Sequence, residues 1–314
     1  MKKFLMATIM GAAVAFGAGS AMAQQKEIAV IVKSENANFW QNVKGGALDA
    51  AKELGDYEVT FQGPAAETDV VEQVNMVENA INRKVSGIVL APSDPVGLVP
   101  SVKKAWESGI PVIIIDSALQ NADKYFQSFL ATDNRTAGEL AASKMIEKLG
   151  DKTGKVAMMS YVPGVGSSIG RDGGFKDIIE AAGNTVIGPF YSQSDMAQAL
   201  NQTVDVLASN SDLVGIFGSN EPTAIGMARA VKQQGYAGKI ATIGFDGDST
   251  LQDFVRDGTL DGIIVQSSYA MGYKGVMTVD QVLKGETVSK RIDTGVVFVT
   301  KDNIDGGEAQ SVLY

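Results

Sequence analysis

The feature that most constrains this chain is a regular alternation of short apolar runs with longer amphipathic stretches, sustained almost to the C-terminus. After its first residue, "EIAVIV" (Glu27–Val32) is unbroken in apolar side chains, the composition of a strand covered by helices on both sheet faces. Behind it, Trp40, Val43, Ala47, Leu48, Ala51 and Leu54 recur at helical spacing, and Gly55 marks the end. The unit then repeats. "YEVTFQG" precedes "DVVEQVNMVENAINR", with Val70, Val74, Val77 and Ile81 in one stripe; "SGIVLAP" precedes "PVGLVPSVKKAWESG"; "IPVIIID" reads as a fourth strand. A second series starts near residue 133 and runs from "NRTAGELAASKMIEKLG" through "KVAMMSY", "TVIGPFY", "LVGIFGS" and "KIATIGFD" to "LDGIIVQ". Strand–helix alternation of this kind predicts parallel sheets wound by right-handed crossovers. Two series predict two similar α/β lobes, each a parallel sheet sandwiched by helices. No Pro- or Ser-rich tether separates them, so the connections are expected to be short hinges. The expected division places 24–132 and 265–287 in the N-terminal lobe, and 133–264 and 288–314 in the C-terminal lobe.

The first residues read differently. A basic "MKK", an apolar run and the small-residue pattern "SAMA" predict a secretory signal peptide over residues 1–23, cut after Ala23. The run is short for a bilayer span, and no second one follows. The 314 residues carry 27 basic against 36 acidic side chains, a net charge of −9, without a basic cluster. That balance argues against nucleic acid as a partner. There is no Cys and no His. Their absence removes disulfides, Ser-His-Asp and Cys-His nucleophile systems, and His- or Cys-ligated zinc. No metal or other cofactor is expected. Acid–base work by two carboxylates stays open.

The polar residues that follow the apolar runs are Lys33, Ser93 and Asp94, Asp116 and Ser117, Asn220 and Glu221, Asp246, and Gln266. In open parallel sheets, ligands lie beyond the C-terminal strand ends. Each residue also has a local explanation: Asn220 and Asp246 suit helix N-caps, and Phe39 and Trp40 suit core. Taken together, the set predicts two lobes turning polar strand tips toward one cleft. "GVGSSIG" and "GDKTGKV" lack the spacing of dinucleotide or phosphate loops and read as turns.

The order and spacing of "IAVIVKSENANFW", "IPVIIID", "GRDGGF", "IFGSNEPTAIGMARA", "IGFDGD" and "IIVQSSYAMGYKG" resemble the periplasmic sugar-binding proteins of ABC importers. The branch resembled is that of ribose- and allose-binding proteins. The resemblance covers the whole chain after the signal peptide. It implies a type I periplasmic binding protein fold, a periplasmic monomer without enzyme activity, and a monosaccharide or related polyol as ligand. It also implies an inner-membrane ABC permease as partner and leaves a chemoreceptor open as another. By position, the ligand-binding residues would be Lys33, Phe39, Trp40, Asp116, Arg171, Asn220, Asp246 and Gln266. Three positions depart from the family pattern. Ala37 stands where an Asn is usual, Ser117 where ribose binders have an Arg, and Met196 where an aromatic closes the far face of the sugar. Ser117 and Met196 are carried as further candidates, and Lys33 resembles the allose-type pattern.

These residue types suit a sugar. A hydroxyl both donates and accepts, so carboxylates and cations can fix neighbouring hydroxyls in opposite senses. Each charge-assisted bond contributes about 1.5–3 kcal/mol. Asp116 and Asp246 would accept, Lys33 and Arg171 would donate, Asn220 and Gln266 would do both, and aromatic faces would meet ring C–H groups. The competing reading is a carbohydrate-active enzyme with Asp116 and Asp246 as its acid–base pair. Against it, Lys33 and Arg171 are expected to keep both carboxylates ionised.

Overall fold

The apolar runs become sheet centres. Ile28 to Val32, Ile88 to Ala91 and Ile113 to Ile115 have no exposed surface, and burying each large aliphatic side chain stabilises by about 1.5–3 kcal/mol. The computed structural model describes residues 26–314, so the expected signal peptide lies outside the described residues. The first lobe holds β1 (Lys26–Ile31), α1 (Asn38–Leu54), β2 (Tyr57–Gln62), α2 (Val70–Arg83), β3 (Gly87–Leu90), α3 (Val99–Glu107), β4 (Val112–Ile115) and β5 (Ser128–Ala131). The second holds α4 (Asn134–Leu149), β6 (Lys155–Ser160), α5 (Gly166–Ala181), β7 (Thr185–Tyr191), α6 (Met196–Ser209), β8 (Leu213–Gly218), α7 (Glu221–Gln233), β9 (Ala241–Phe245), α8 (Ser249–Arg256) and β10 (Gly262–Gln266). The chain then returns to the first lobe for α9 (Ser268–Leu283) and β11 (Arg291–Asp293). It ends on the second with β12 (Val296–Val299) and α10 (Gly307–Gln310).

Each sheet has six strands, ordered β11-β5-β4-β3-β1-β2 and β12-β10-β9-β8-β6-β7. The two orders superimpose element by element. All pairings are parallel except β10 with β12. Every sheet is packed on both faces, by two hydrophobic clusters in each lobe. Helix α9 crosses back to cover the first sheet against α1. The two helices touch backbone to backbone, because a Cβ at Gly272 would stand 1.9 Å from Val43 O and one at Gly46 would stand 2.1 Å from Tyr269 O.

Several expectations need correction. Strand β5 escaped the sequence pattern, its apolar run being only Phe129 to Ala131 between Ser128 and Thr132. Gln266 is the last residue of β10 and therefore belongs to the second sheet, not to the N-terminal lobe. The three-residue β11 pairs with β5 in the first sheet, so the expected changeover at 287 falls instead after Asp293. Strand pairing sets that boundary, and a short exposed edge strand carries little apolar signal. The chain thus passes between lobes at 132–133, 267 and 294–295. Finally, Gly166 to Gly170 of "GVGSSIG" open α5 and do not form a turn.

Candidate functional site

The strand tips of both sheets face a shared cleft. Lys33 follows β1, Asp116 follows β4, Asp246 follows β9, and Gln266 ends β10. Arg171 sits in the second turn of α5, where Gly138 of α4 admits it: a Cβ at Gly138 would lie 2.2 Å from Arg171 O. Its guanidinium is 2% exposed and stacks on Phe245, 3.9 Å from the ring centre. Nε donates to Asn134 Oδ1 at 2.8 Å and Nη1 to Ser219 O at 2.8 Å. Asn134, at the first lobe crossing, donates in turn to Asp116 O at 3.3 Å.

Lys33 Nζ lies 2.6 Å from Asp116 Oδ2 with both side chains buried. It also donates to Ser117 Oγ at 2.6 Å and Ser167 Oγ at 3.3 Å, which accounts for all three ammonium hydrogens. Lys33 therefore orders Asp116 and spends its hydrogens on protein, where the sequence pointed to a sugar hydroxyl. Burial pushes the Asp116 carboxyl up, but the Lys33 and Arg171 charges and bonds from Lys33 and Ser117 outweigh it and hold the group below its ordinary value.

Asp246 behaves otherwise. Its Oδ1 accepts from Gln266 Nε2 at 2.8 Å and its Oδ2 from Glu221 N at 2.9 Å. Burial nonetheless pushes it up to about 6, against the pull of Arg171. Asp246 is thus the less firmly ionised of the two carboxylates, though still mostly charged at neutral pH, because Lys33 pairs with Asp116 and no ammonium reaches the second lobe's aspartate. Glu221 goes further. Burial and the neighbouring Asp246 push it up to about 8, although Tyr314 donates to it.

One cavity gathers all eight primary candidates: Lys33, Phe39, Trp40, Asp116, Arg171, Asn220, Asp246 and Gln266. Counted out to its mouth it holds about 310 Å³ free of atoms. Phe39 and Trp40 meet edge to face, with centroids 4.7 Å apart and planes at 89°. They are both core of the first lobe and wall of the cavity. Asn220 caps α7, its Oδ1 accepting from Thr223 N at 3.2 Å, while its Nδ2 donates to Ser194 Oγ at 3.1 Å. Asp246 is not a helix cap; Asp248 caps α8. Gln266 Oε1 is buried without a hydrogen-bond partner among the described residues, so it keeps an acceptor for a ligand.

Two candidates stand apart. Ser117 lies behind Lys33 and Asp116 and donates to Asp116 Oδ2 at 2.8 Å. Met196 opens α6, packs on the second lobe's core and lines a neighbouring groove; its Sδ accepts from Arg229 Nη1 at 2.8 Å. It does not form the cavity's far wall, since the α6 start points it back onto its own lobe.

The cavity also has walls that the sequence did not single out. Glu67 accepts from Trp40 Nε1 at 3.1 Å and from Ser194 Oγ at 2.9 Å, bridging the lobes at the rim. Tyr161 donates to Ser167 Oγ at 2.6 Å. Glu221 was visible as a polar strand-tip residue but not as a cavity wall. Among the described residues, no acidic cluster could hold a metal ion, and no helix is long and apolar enough to cross a membrane.

Comparison with known proteins agrees with this fold. The pattern of the periplasmic binding protein domain matches residues 28–287. The D-allose-binding periplasmic protein of Escherichia coli is 30% identical over 285 residues, covering 88% of this chain and 91% of the relative. An ABC transporter solute-binding protein from Agrobacterium vitis, solved with bound D-fucose, is 63% identical with a TM-score of 0.90, covering 92% of this chain and all of that one. A carbohydrate-transporter solute-binding protein from Agrobacterium radiobacter, solved with D-arabinose, is 35% identical with a TM-score of 0.89, covering 94% and 100%. The chain belongs to the periplasmic binding protein family, in the branch of ribose- and allose-binding proteins.

Proposed function

We propose that the chain is the periplasmic receptor of an ABC importer for a monosaccharide of the D-fucose kind, caught between the lobes and handed to the inner-membrane permease. One observation carries this reading: eight charged, amide and aromatic side chains drawn from both lobes line a single cavity. The solute-binding protein solved with D-fucose, at 63% identity, supplies the choice of sugar. Asp116, Asp246 and Gln266 Oε1 accept from hydroxyls, the uncommitted Arg171 and Asn220 hydrogens donate, and Phe39 and Trp40 take the C–H face of the ring. Lys33 holds Asp116 in place. Ala37 and Pro222 leave part of the wall apolar, where a sugar methyl group would sit without an unpaired hydroxyl. Residues 1–23 act as the cleaved export signal, and the receptor works as a monomer; a chemoreceptor is a second client of the same closed form.

Thermal unfolding with a panel of monosaccharides and polyols tests the reading. A sugar at 100 times its Kd adds about 2.7 kcal/mol of stability. D-fucose is expected to give a large shift, and a flat response across the panel would overturn the assignment. The enzyme alternative draws support from the raised Asp246 and Glu221. Yet both Glu221 oxygens already accept protein donors, as do both Asp246 oxygens, so neither carboxyl is left free to protonate a glycosidic oxygen. Sugars incubated with the protein are expected back unchanged.

A further inference from the structure

Four helices of the second lobe carry their own N-cap side chains, Asp133, Asp195, Asn220 and Asp248. Helix α1 of the first lobe does not. Its cap position is Ala37, with no side-chain acceptor, so its first amides need a partner from elsewhere. They find it across the cleft. Glu221 Oε1 accepts from Asn38 N at 2.9 Å and Oε2 from Phe39 N at 2.8 Å. Asp248 Oδ2 accepts from Asn38 Nδ2 at 2.7 Å, and Tyr314 donates its hydroxyl to Glu221 Oε2 at 2.9 Å. Glu221 is 4% exposed. Acceptors and amides lie on different lobes, so these bonds exist only while the lobes are together. The amides served belong to the turn that carries Phe39 and Trp40, the aromatic wall of the cavity.

We propose that Glu221 is a positioning residue for ligand capture: its carboxyl group caps α1 in trans as the lobes meet and thereby sets the Phe39–Trp40 wall. The inference rests on the sugar-receptor reading for what is captured, but not for the cap itself. A parted first lobe leaves the α1 amides to water; a joined one hands them the two oxygens of a buried carboxyl group. Lobe contact is therefore reported directly to the residues that touch the ligand.

The test uses D-fucose as probe in a Trp106→Phe background, which leaves Trp40 as the sole indole. Glu221→Ala is expected to weaken Kd about tenfold, the size of a lost N-cap, mainly through faster dissociation. Its ligand-free melting point should stay that of the parent, and the Trp40 emission of the bound state should change. Glu221→Gln should fall between, since its amide oxygen can serve only part of the role. An affinity within twofold of the parent, or an equal drop in the melting points with and without sugar, overturns the proposal. If the parent binds no D-fucose, the receptor reading fails separately, and the cap is read without ligand. Ser117 Oγ and Ser167 Oγ stand 2.9 Å apart across the cleft, and the chain has no other thiol, so Ser117→Cys with Ser167→Cys can lock the lobes by oxidation. Exchange of the Asn38 and Phe39 amides should slow in the locked protein and recover when Glu221→Ala is added. Equal exchange with and without Glu221 in the locked protein overturns the cap.

Discussion

Asp116 and Asp246 occupy the same corner of their two lobes. Each is the first residue beyond the fourth strand of its series, and each has a left-handed backbone, with φ of 62° and 79°. Each amide donates to the neighbouring strand, Asp116 N to Leu130 O at 3.1 Å and Asp246 N to Ile264 O at 2.8 Å. This conformation is uncommon outside glycine, though aspartate tolerates it. Here it recurs at both places where a carboxylate meets the cleft. The surroundings then separate the pair, because Asp116 faces an ammonium and Asp246 faces an amide side chain and a backbone N–H.

That ammonium gives the first prediction. Removing one partner of a buried ion pair costs about 3–5 kcal/mol, since the other charge is left unpaired. Lys33→Met should therefore lower stability by about 3 kcal/mol in urea titration, as well as weakening sugar binding. The pH dependence has a definite sign. Asp116 is depressed in the folded protein, so its contribution is present above the ordinary aspartate value near 3.9 and is lost as pH falls through the lower folded value. The parent should thus resist acid further than Lys33→Met. Coincident acid-unfolding curves would contradict the pairing.

The second prediction concerns protons. Glu221 faces Asp246, Asp248, Tyr314 and the amides of Asn38 and Phe39. With the lobes together burial and Asp246 hold it up at about 8, and Asp246 stands at about 6. Parting the lobes returns Glu221 to water and toward its ordinary value near 4.3. Because the joined form has the higher value, protonation favours it. That preference is complete below about 4.3 and is lost as pH rises through about 8. Sugar binding near neutral pH should therefore take up protons, and affinity should decline toward pH 8. Calorimetry in buffers of different ionisation enthalpy measures the uptake. A value of zero at neutral pH would contradict the burial of Glu221 on closure.

The third prediction tests how Arg171 is placed. A methyl group at Gly138 has no room against the Arg171 carbonyl, so Gly138→Ala must push α4 from α5. Overpacking of this kind costs about 1–3 kcal/mol. It should also move the guanidinium off Asn134 and Ser219 and weaken sugar binding, although residue 138 does not line the cavity. Gly173→Ala, whose added Cβ meets only the Arg135 side chain at 3.7 Å, serves as the tolerant control. Unchanged affinity in Gly138→Ala would show that the helix contact does not set Arg171.

Much of this architecture is legible in the sequence because it is local. Apolar runs read as strands, and the rule that ligands gather at strand tips finds Lys33, Asp116, Asp246 and Gln266 before any coordinates. What escapes is set by distant parts of the chain. Strand β11 is only "RID", and its sheet is chosen by β5, some 160 residues earlier. Glu67 stands in a loop without periodicity, and its role comes from Trp40 and Ser194 on opposite sides of the cleft. Glu221 looks like an ordinary first-turn glutamate of α7, yet its partners are the amides of another lobe's helix. Met196 shows the reverse error: a position matched by pattern, while the α6 start directs the side chain elsewhere.

The threefold passage of the chain between lobes bears on how the molecule is made. Helix α9, which covers Val43 and Ala47 of α1, and the edge strand β11 both come after residue 267. A nascent chain that has emerged only as far as Gln266 holds a first lobe with β3, β4 and β5 uncovered on the face that α9 will pack and its border strand unspoken for. No contiguous stretch of the polypeptide encodes that half by itself, so a truncated product should be sticky and short-lived, not a small working module.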